Sequence, residues 1–382
     1  MPTIVLSPYN VLNFPEGGGH FWVYLQYALG LQQAGCDVYW LEAFRSRGNP
    51  TADEALLAPF RARLAQFGLG DRLILYRDGA TNRAAHAPRS FVGLSHEKAA
   101  AIFARADLLL NFHYAISPKL LARFRRTALV DIDPGLLQFW VSRRQLFVPR
   151  HDLYFTTGET VGTPEARFPD CGLRWLHIRP PVSLDLWSPC FRPAAEAFTS
   201  VSNWDASDWI VDASETYENT KRAAFLEFAD LPRLTPQPLE LALFLRTAKD
   251  IAERRDLESR GWRIRLSSEV AGTPETYQNY IRQSRANSVV PNALALNFKT
   301  PGSVIAPSAI SPAASRPSCN TPAPATICRN TKGCSDSPPP RKLRPPSAPS
   351  TRITTSTAGW PGRSPNPIST PDKSPRSSSV TP

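Results

Sequence analysis

The apolar positions change their period twice within the first 42 residues. Thr3-Ile4-Val5-Leu6-Ser7 is a short apolar run led by β-branched residues, the pattern of a strand buried on both faces. A loop follows and closes on Gly17, Gly18 and Gly19. Phe21, Leu25, Ala28 and Leu29 then recur at helix spacing until Gly35 stops the pattern, and Cys36 to Leu41 reads as a second strand ending at Glu42. The glycine loop therefore lies at the C-terminal end of the first strand. Open α/β sheets bind ligands at that edge, because backbone N–H groups and helix N-termini converge there.

The same grammar continues. Leu56, Leu57, Phe60, Leu64 and Phe67 mark an amphipathic helix, and Leu73 to Tyr76 a strand. His96 to Arg105 is helical with alanines turned inward, and Asp107 to Phe112 is a strand with His113 just past its end. Pro118 to Arg125 feeds a strand from Thr127 to Asp133, and Leu153 to Thr157 is another, ending at Glu159. Strands alternating with helices predict a parallel, doubly wound sheet. Around Trp175 to Pro189 the pattern breaks at Pro180-Pro181 and resumes with a strand at Phe198 to Asn203. After a loop through Trp204 and Trp209, Asn219, Lys221 and Arg222 open a helix running to Phe228. Leu239 to Glu253 reads as helix, Trp262 to Leu266 as strand, and Thr273 caps a helix with Pro274 at its first position. The expected architecture is two Rossmann-like domains, residues 1–180 and 181–285, the second incomplete, with a low-complexity basic tail over 286–382.

Charge changes this picture little. The formal net charge is +11, but residues 286–382 hold 11 basic residues and two acids, which leaves 33 basic and 31 acidic residues in the patterned part. That near-neutrality gives no case for a nucleic-acid partner there. No apolar run approaches the ~18 residues of a membrane span, which leaves only peripheral membrane contact open. The N-terminus lacks a basic region before an apolar one, and the six cysteines show no CxxC spacing. A cytoplasmic location is expected.

Several residues could carry chemistry. His20 stands at a helix start beside the glycines and His113 beyond a strand end; each could serve as a base or simply pack. Asp131 and Asp133 could meet a substrate or cap the Pro134-Gly135 turn, and Glu159 follows another strand end. Lys221 and Arg222 could meet a diphosphate, with Asn219 as ligand or cap. No GxSxG and no metal-ligand cluster is present, and the glycines miss the GxGxxG spacing of a dinucleotide site, which counts against an oxidoreductase.

The succession of strand, loop, GGGH, helix and QQAGCDVYWLE, together with YENTKRAAFLEFADLPRLTPQPLELAL, resembles bacterial glycosyltransferases of GT-B architecture. The resemblance implies sugar transfer from a nucleotide-sugar to an unknown acceptor, without a metal or cofactor. It also implies an N-terminal acceptor domain and a donor domain, with the glycine loop facing the cleft between them. The alternative is a non-catalytic α/β protein that binds a small ligand and uses its tail as an interaction arm.

From Ala286 onward neither period survives, and 19 of the 38 prolines fall in these 97 residues. Composition alone reads as disorder. A slipped reading frame explains it better: two bases on, the codons for Ala286 to Pro291 allow EFSCA, and those for Ser308 to Pro324 allow CYLASGKPAVVQHTGP. The latter resembles the donor-site segment of the same glycosyltransferases. Sequencing the DNA across the Ser284–Asn287 codons is expected to show one missing or extra base. An intact frame would make the basic tail genuine.

Overall fold

A computed structural model describes residues 1–77, 91–166, 168–190, 192–204, 209–212, 215–218, 221–245 and 248–287. Asn219 and the segment expected to be out of frame beyond residue 287 lie outside the described residues. In chain order the elements are β1 (Thr3–Ser7), α1 (Gly18–Gln33), β2 (Asp37–Phe44), α2 (Pro50–Ala65), β3 (Leu73–Arg77), β4 (Phe91–Val92), α3 (His96–Arg105) and β5 (Leu108–Asn111). There follow α4 (Pro118–Leu121), β6 (Thr127–Asp131), α5 (Leu136–Ser142), β7 (Leu153–Thr156) and β8 (Trp175–His177). The remainder comprises β9 (Phe198–Asn203), β10 (Trp209–Asp212), β11 (Glu215–Glu218), α6 (Lys221–Glu227), β12 (Leu239–Phe244), α7 (Ala248–Ser259), β13 (Arg263–Leu266), α8 (Ser267–Val270), α9 (Pro274–Gln283) and β14 (Ala286–Asn287).

Among the described residues the strands form an eight-stranded sheet in the order β4-β3-β2-β1-β5-β6-β7-β8 and a four-stranded sheet in the order β13-β12-β9-β14. All pairings in both are parallel except β3 with β4. The architecture is thus mixed α/β with Rossmann-like parallel sheets, as expected. In the first sheet the order turns back between β1 and β5, which leaves a crevice beyond the C-terminal ends of those two strands.

The first sheet is covered on both faces. Ile4 and Leu6 join Phe21, Leu25, Trp40 and Leu64 under α1 and α2. Val5 points the other way, to Tyr39, Phe103, Leu109 and Leu120. Two-sided burial explains why β1 is apolar throughout. The same rule corrects the helix expected over Leu239 to Glu253. Leu239–Phe244 is β12, paired with β9 and β13, with Leu241, Ala242 and Leu243 buried; the helix, α7, begins only at Ala248. A short apolar run of Leu and Ala reads alike as buried strand or helix, and two flanking strands decided it. Likewise the loop expected through Trp209 is the antiparallel pair β10–β11.

The two sheets meet along α1 and α9. The Trp22 indole N–H donates to the Pro274 carbonyl at 2.8 Å, and Trp187 packs edge-on to both Trp22 and Tyr277. The glycine run is what permits this approach. A Cβ on Gly18 would lie 2.2 Å from the Thr273 carbonyl oxygen, one on Gly19 2.8 Å from the Tyr277 ring, and one on Gly17 2.4 Å from Phe14. Of the glycines expected to face a ligand, Gly18 and Gly19 therefore form the seam between the sheets, and Gly17 is crowded by Phe14 of its own loop. Thr273 caps α9 as expected, its hydroxyl accepting from the Thr276 N–H at 3.1 Å.

Gly18→Ala is expected to cost about 1–3 kcal/mol of stability, the usual penalty of overpacking, read from the midpoint of urea unfolding. Gly30 lies in the same helix, where a Cβ would meet Pro181 at an ordinary 3.4 Å. Gly30→Ala is expected to be neutral or to stabilise by up to about 1 kcal/mol. Equal losses at the two positions would remove crowding as the reason for the glycine run.

Candidate functional site

The crevice is built from the residues that follow β1 and β5. Tyr9 comes two residues after β1 and is 43% exposed. The next residue, Asn10, has φ of 59°, a left-handed conformation that asparagine tolerates and that turns the chain sharply. Asn111, the last residue of β5, is fully buried; its Oδ1 accepts from the His113 N–H at 2.9 Å and its Nδ2 donates to the His113 carbonyl at 3.1 Å. That clamp sets the His113 ring against Tyr9, centroids 5.0 Å apart and planes 29° from parallel.

His20, in the first turn of α1, joins them from the side. Its Nε2 lies 2.7 Å from the Tyr9 carbonyl, so Nε2 carries the proton and the lone pair sits on Nδ1. Tyr24 packs edge-on against its ring. Burial holds the imidazole pKa below its ordinary value, only partly offset by the bond to Tyr9, so His20 is neutral near pH 7.

The two acids at the end of β6 and in the turn after it divide their tasks. Asp131 is completely buried and accepts from Tyr114 Oη at 3.1 Å, Gln138 Nε2 at 2.8 Å, Thr156 Oγ1 at 3.0 Å and the Asp133 N–H at 3.0 Å. It organises the turn rather than facing a ligand. Asp133 is exposed, and its carboxylate is felt by Tyr24, by Tyr114 and by Lys221 of α6. Lys221 is half-buried. Its desolvation pulls the ammonium pKa down to about 8, with Asp133 opposing the fall. The charges of Asp133, after β6, and Lys221, at the start of α6, are near enough to act on each other.

Two expected residues have other partners. Arg222 grips Glu253, Nε to Oε2 at 2.8 Å and Nη2 to Oε1 at 2.5 Å, and the same carboxylate accepts from buried Trp204 at 2.6 Å. Its guanidinium serves the core of the second sheet instead of a phosphate. Glu159 is exposed and lies 4.0 Å from Arg179, which is more exposed still. Sequence reasoning missed Tyr9, Tyr24 and Tyr114. Only the position of Tyr9 just past the first strand could have signalled its role. No group of three or more His, Cys, Asp or Glu able to hold an ion occurs among the described residues, nor any helix long and apolar enough to cross a membrane.

No protein-family model matches the sequence, and no curated protein matches it. By shape the chain is similar to several solved structures. One is an alpha-glucosyltransferase in complex with UDP, at 12% identity over 75% of this chain and 72% of that one, TM-score 0.43. Another is an alpha-glucosyltransferase in complex with UDP and a 13-mer DNA containing a central A:G mismatch, at 11% identity over 75% and 71%, TM-score 0.42. A further one is Acinetobacter baumannii MurG, at 13% identity over 75% and 72%, TM-score 0.32.

Glu42 holds the Tyr9 loop from behind. It is buried inside β2, and its carboxylate accepts from the Leu12 N–H at 2.7 Å and from the Trp40 indole at 2.9 Å. Burial raises its pKa from 4.5 to about 7 despite these bonds. The folded state therefore holds more protons than the unfolded one between these values, and stability should fall as pH rises from about 4.5 to about 7. In Glu42→Gln that slope should vanish, and the amide must face one of the two donors with its own N–H. The loss at pH 5 should be about 1–3 kcal/mol and narrow by pH 8, measured by urea unfolding at each pH. Parallel pH profiles would remove Glu42 as the titrating group.

Proposed function

We propose that the crevice transfers a sugar from a nucleotide-sugar to an acceptor hydroxyl. The observation that carries this reading is the convergence, at the turning point of the strand order, of an aromatic platform, a neutral histidine and a cation from the second half of the chain. The Tyr9–His113 pair offers a face to a sugar or base ring. Asn10 adds a buried Oδ1 with no hydrogen-bond partner among the described residues, an acceptor available to a ligand hydroxyl.

The chemistry follows from those groups. The acceptor oxygen attacks the anomeric carbon, the bond from that carbon to the diphosphate oxygen breaks, and the acceptor proton passes to His20 Nδ1. Lys221 balances the charge gathering on the departing diphosphate, and the partial dryness of its surroundings strengthens that attraction. Asp131 is a positioning residue: through Tyr114 and the Asp133 N–H it fixes the turn that carries the Asp133 carboxylate. Asp133 keeps Lys221 charged near neutral pH. On the same reading the rest of the donor side follows Arg285 in another frame, so the chain as encoded carries the crevice without its full complement.

A chain with the frame restored after Arg285 is expected to turn over a UDP- or GDP-sugar. His20→Ala should lower turnover by about 10²- to 10⁴-fold, the usual worth of a general base, with donor affinity unchanged. Donor affinity should fall as pH rises past about 8, where Lys221 loses its charge; Lys221→Arg should keep the affinity and abolish that fall. Absence of donor binding in the restored chain, or turnover indifferent to His20, would overturn the assignment.

A further inference from the structure

A cavity among the described residues lies away from the crevice. It measures about 810 Å³ and is enclosed by α5, by residues 147–154 and by residues 171–176, against β6. Arg150 precedes β7 and Arg174 precedes β8, so the cavity reaches the N-terminal edge of the sheet, opposite the edge that carries Tyr9 and His113. Its volume is that of a ligand pocket, within the usual ~300–1,000 Å³.

Its lining has two characters. Leu129, Leu137, Val141, Val148, Leu153 and Trp175 make an apolar interior. The exposed part of the lining is basic and aromatic: Arg150 and Arg174 are both exposed, and Phe147 is 77% exposed. Neither arginine makes a hydrogen bond or ion pair with another described residue. Asp152, the one acid of the lining, is engaged through Oδ2, which accepts from the Thr127 N–H at 2.7 Å and the Thr127 hydroxyl at 3.1 Å. An apolar chamber whose exposed rim carries two uncommitted guanidinium groups against one partly engaged carboxylate has an excess of positive charge and is complementary to one chemical class.

We propose that this cavity binds an amphipathic anion, with a linear apolar chain against Leu137, Val141 and Trp175 and a carboxylate or phosphate head between Arg150 and Arg174. The site is separate from the sugar-transfer reading and stands if that reading fails. One buried amide connects it to the crevice. His151, in the lining and buried, accepts at Nε2 from Asn111 Nδ2 at 3.0 Å, the same amide that donates to the His113 carbonyl.

The test uses the full chain as encoded, with octanoate, decanoate and dodecanoate as probes in titration calorimetry. Affinity should rise about fourfold per added methylene. The double variant Arg150→Gln, Arg174→Gln should bind dodecanoate about 10- to 100-fold more weakly, and Val141→Trp, which puts an indole where the apolar chain would lie, should weaken binding of dodecanoate. Cys171 reports occupancy directly: half-buried in the lining, it should be alkylated more slowly with dodecanoate bound, while Cys36 and Cys190, outside the lining, are unaffected. Association with phosphatidylglycerol vesicles that also needs both arginines would identify a lipid as the source of the anion, and its absence a soluble acid. The proposal is overturned if dodecanoate fails to bind, if dodecanol binds equally well, if inorganic phosphate alone competes as strongly as dodecanoate, or if the arginine pair can be removed without loss.

Discussion

The close approach of α1 to the turn before α9 is the constraint on which the rest of the molecule depends. At Gly18 the two backbones stand where a single methyl group would overlap a carbonyl oxygen. Because they can meet, Trp22 reaches the Pro274 carbonyl, Trp187 fits between Trp22 and Tyr277, and Tyr277, Tyr280 and Ile281 enter the same apolar core as Phe21 and Leu25. The segment joining the sheets is fastened to the same helices: the Ser183 N–H donates to Gln26, and Gln278 donates to the Leu186 carbonyl. A crevice whose groups come from both halves needs this rigidity, since a misplacement of about 1 Å is costly to any transfer reaction.

Buried carboxylates shape the crevice from behind. Glu42 and Asp131 both lie in the core with several hydrogen-bond donors and no cation partner among the described residues. Desolvation raises both pKa values, which is the signature of a cost accepted for geometry. Each holds a loop at the C-terminal edge of the first sheet: Glu42 the loop after β1, Asp131 the turn after β6. The exposed groups, Tyr9 and Asp133, are therefore carried on loops that are themselves anchored.

The two edges of the first sheet differ in chemistry because the strand ends supply different neighbours. At the C-terminal edge the order of strands turns back and the chain is free to diverge around a ligand. At the opposite edge the connections run straight into β7 and β8, and their arginines stand outward over an apolar chamber. Asn111 touches both regions, clamping His113 on one side and donating to His151 on the other. One buried amide thus connects the platform of the crevice to the wall of the cavity.

What the sequence by itself determined were the parallel α/β class, most strands and helices of the first sheet, the cap of α9 and the place where periodicity ends. Each depends on local spacing or on a capping residue, and is readable without knowing what packs where. Tertiary structure decided the rest. The run Leu239–Phe244 became a strand because β9 and β13 flank it. Gly18 and Gly19 became a seam because α9 arrives there, and Arg222 became a core partner because Glu253 and Trp204 are brought to it. Asp131 and Asp133 could not be told apart by spacing, since their roles differ only in which one the fold buries. Long-range proximity sets such roles, and a one-dimensional pattern carries no record of it.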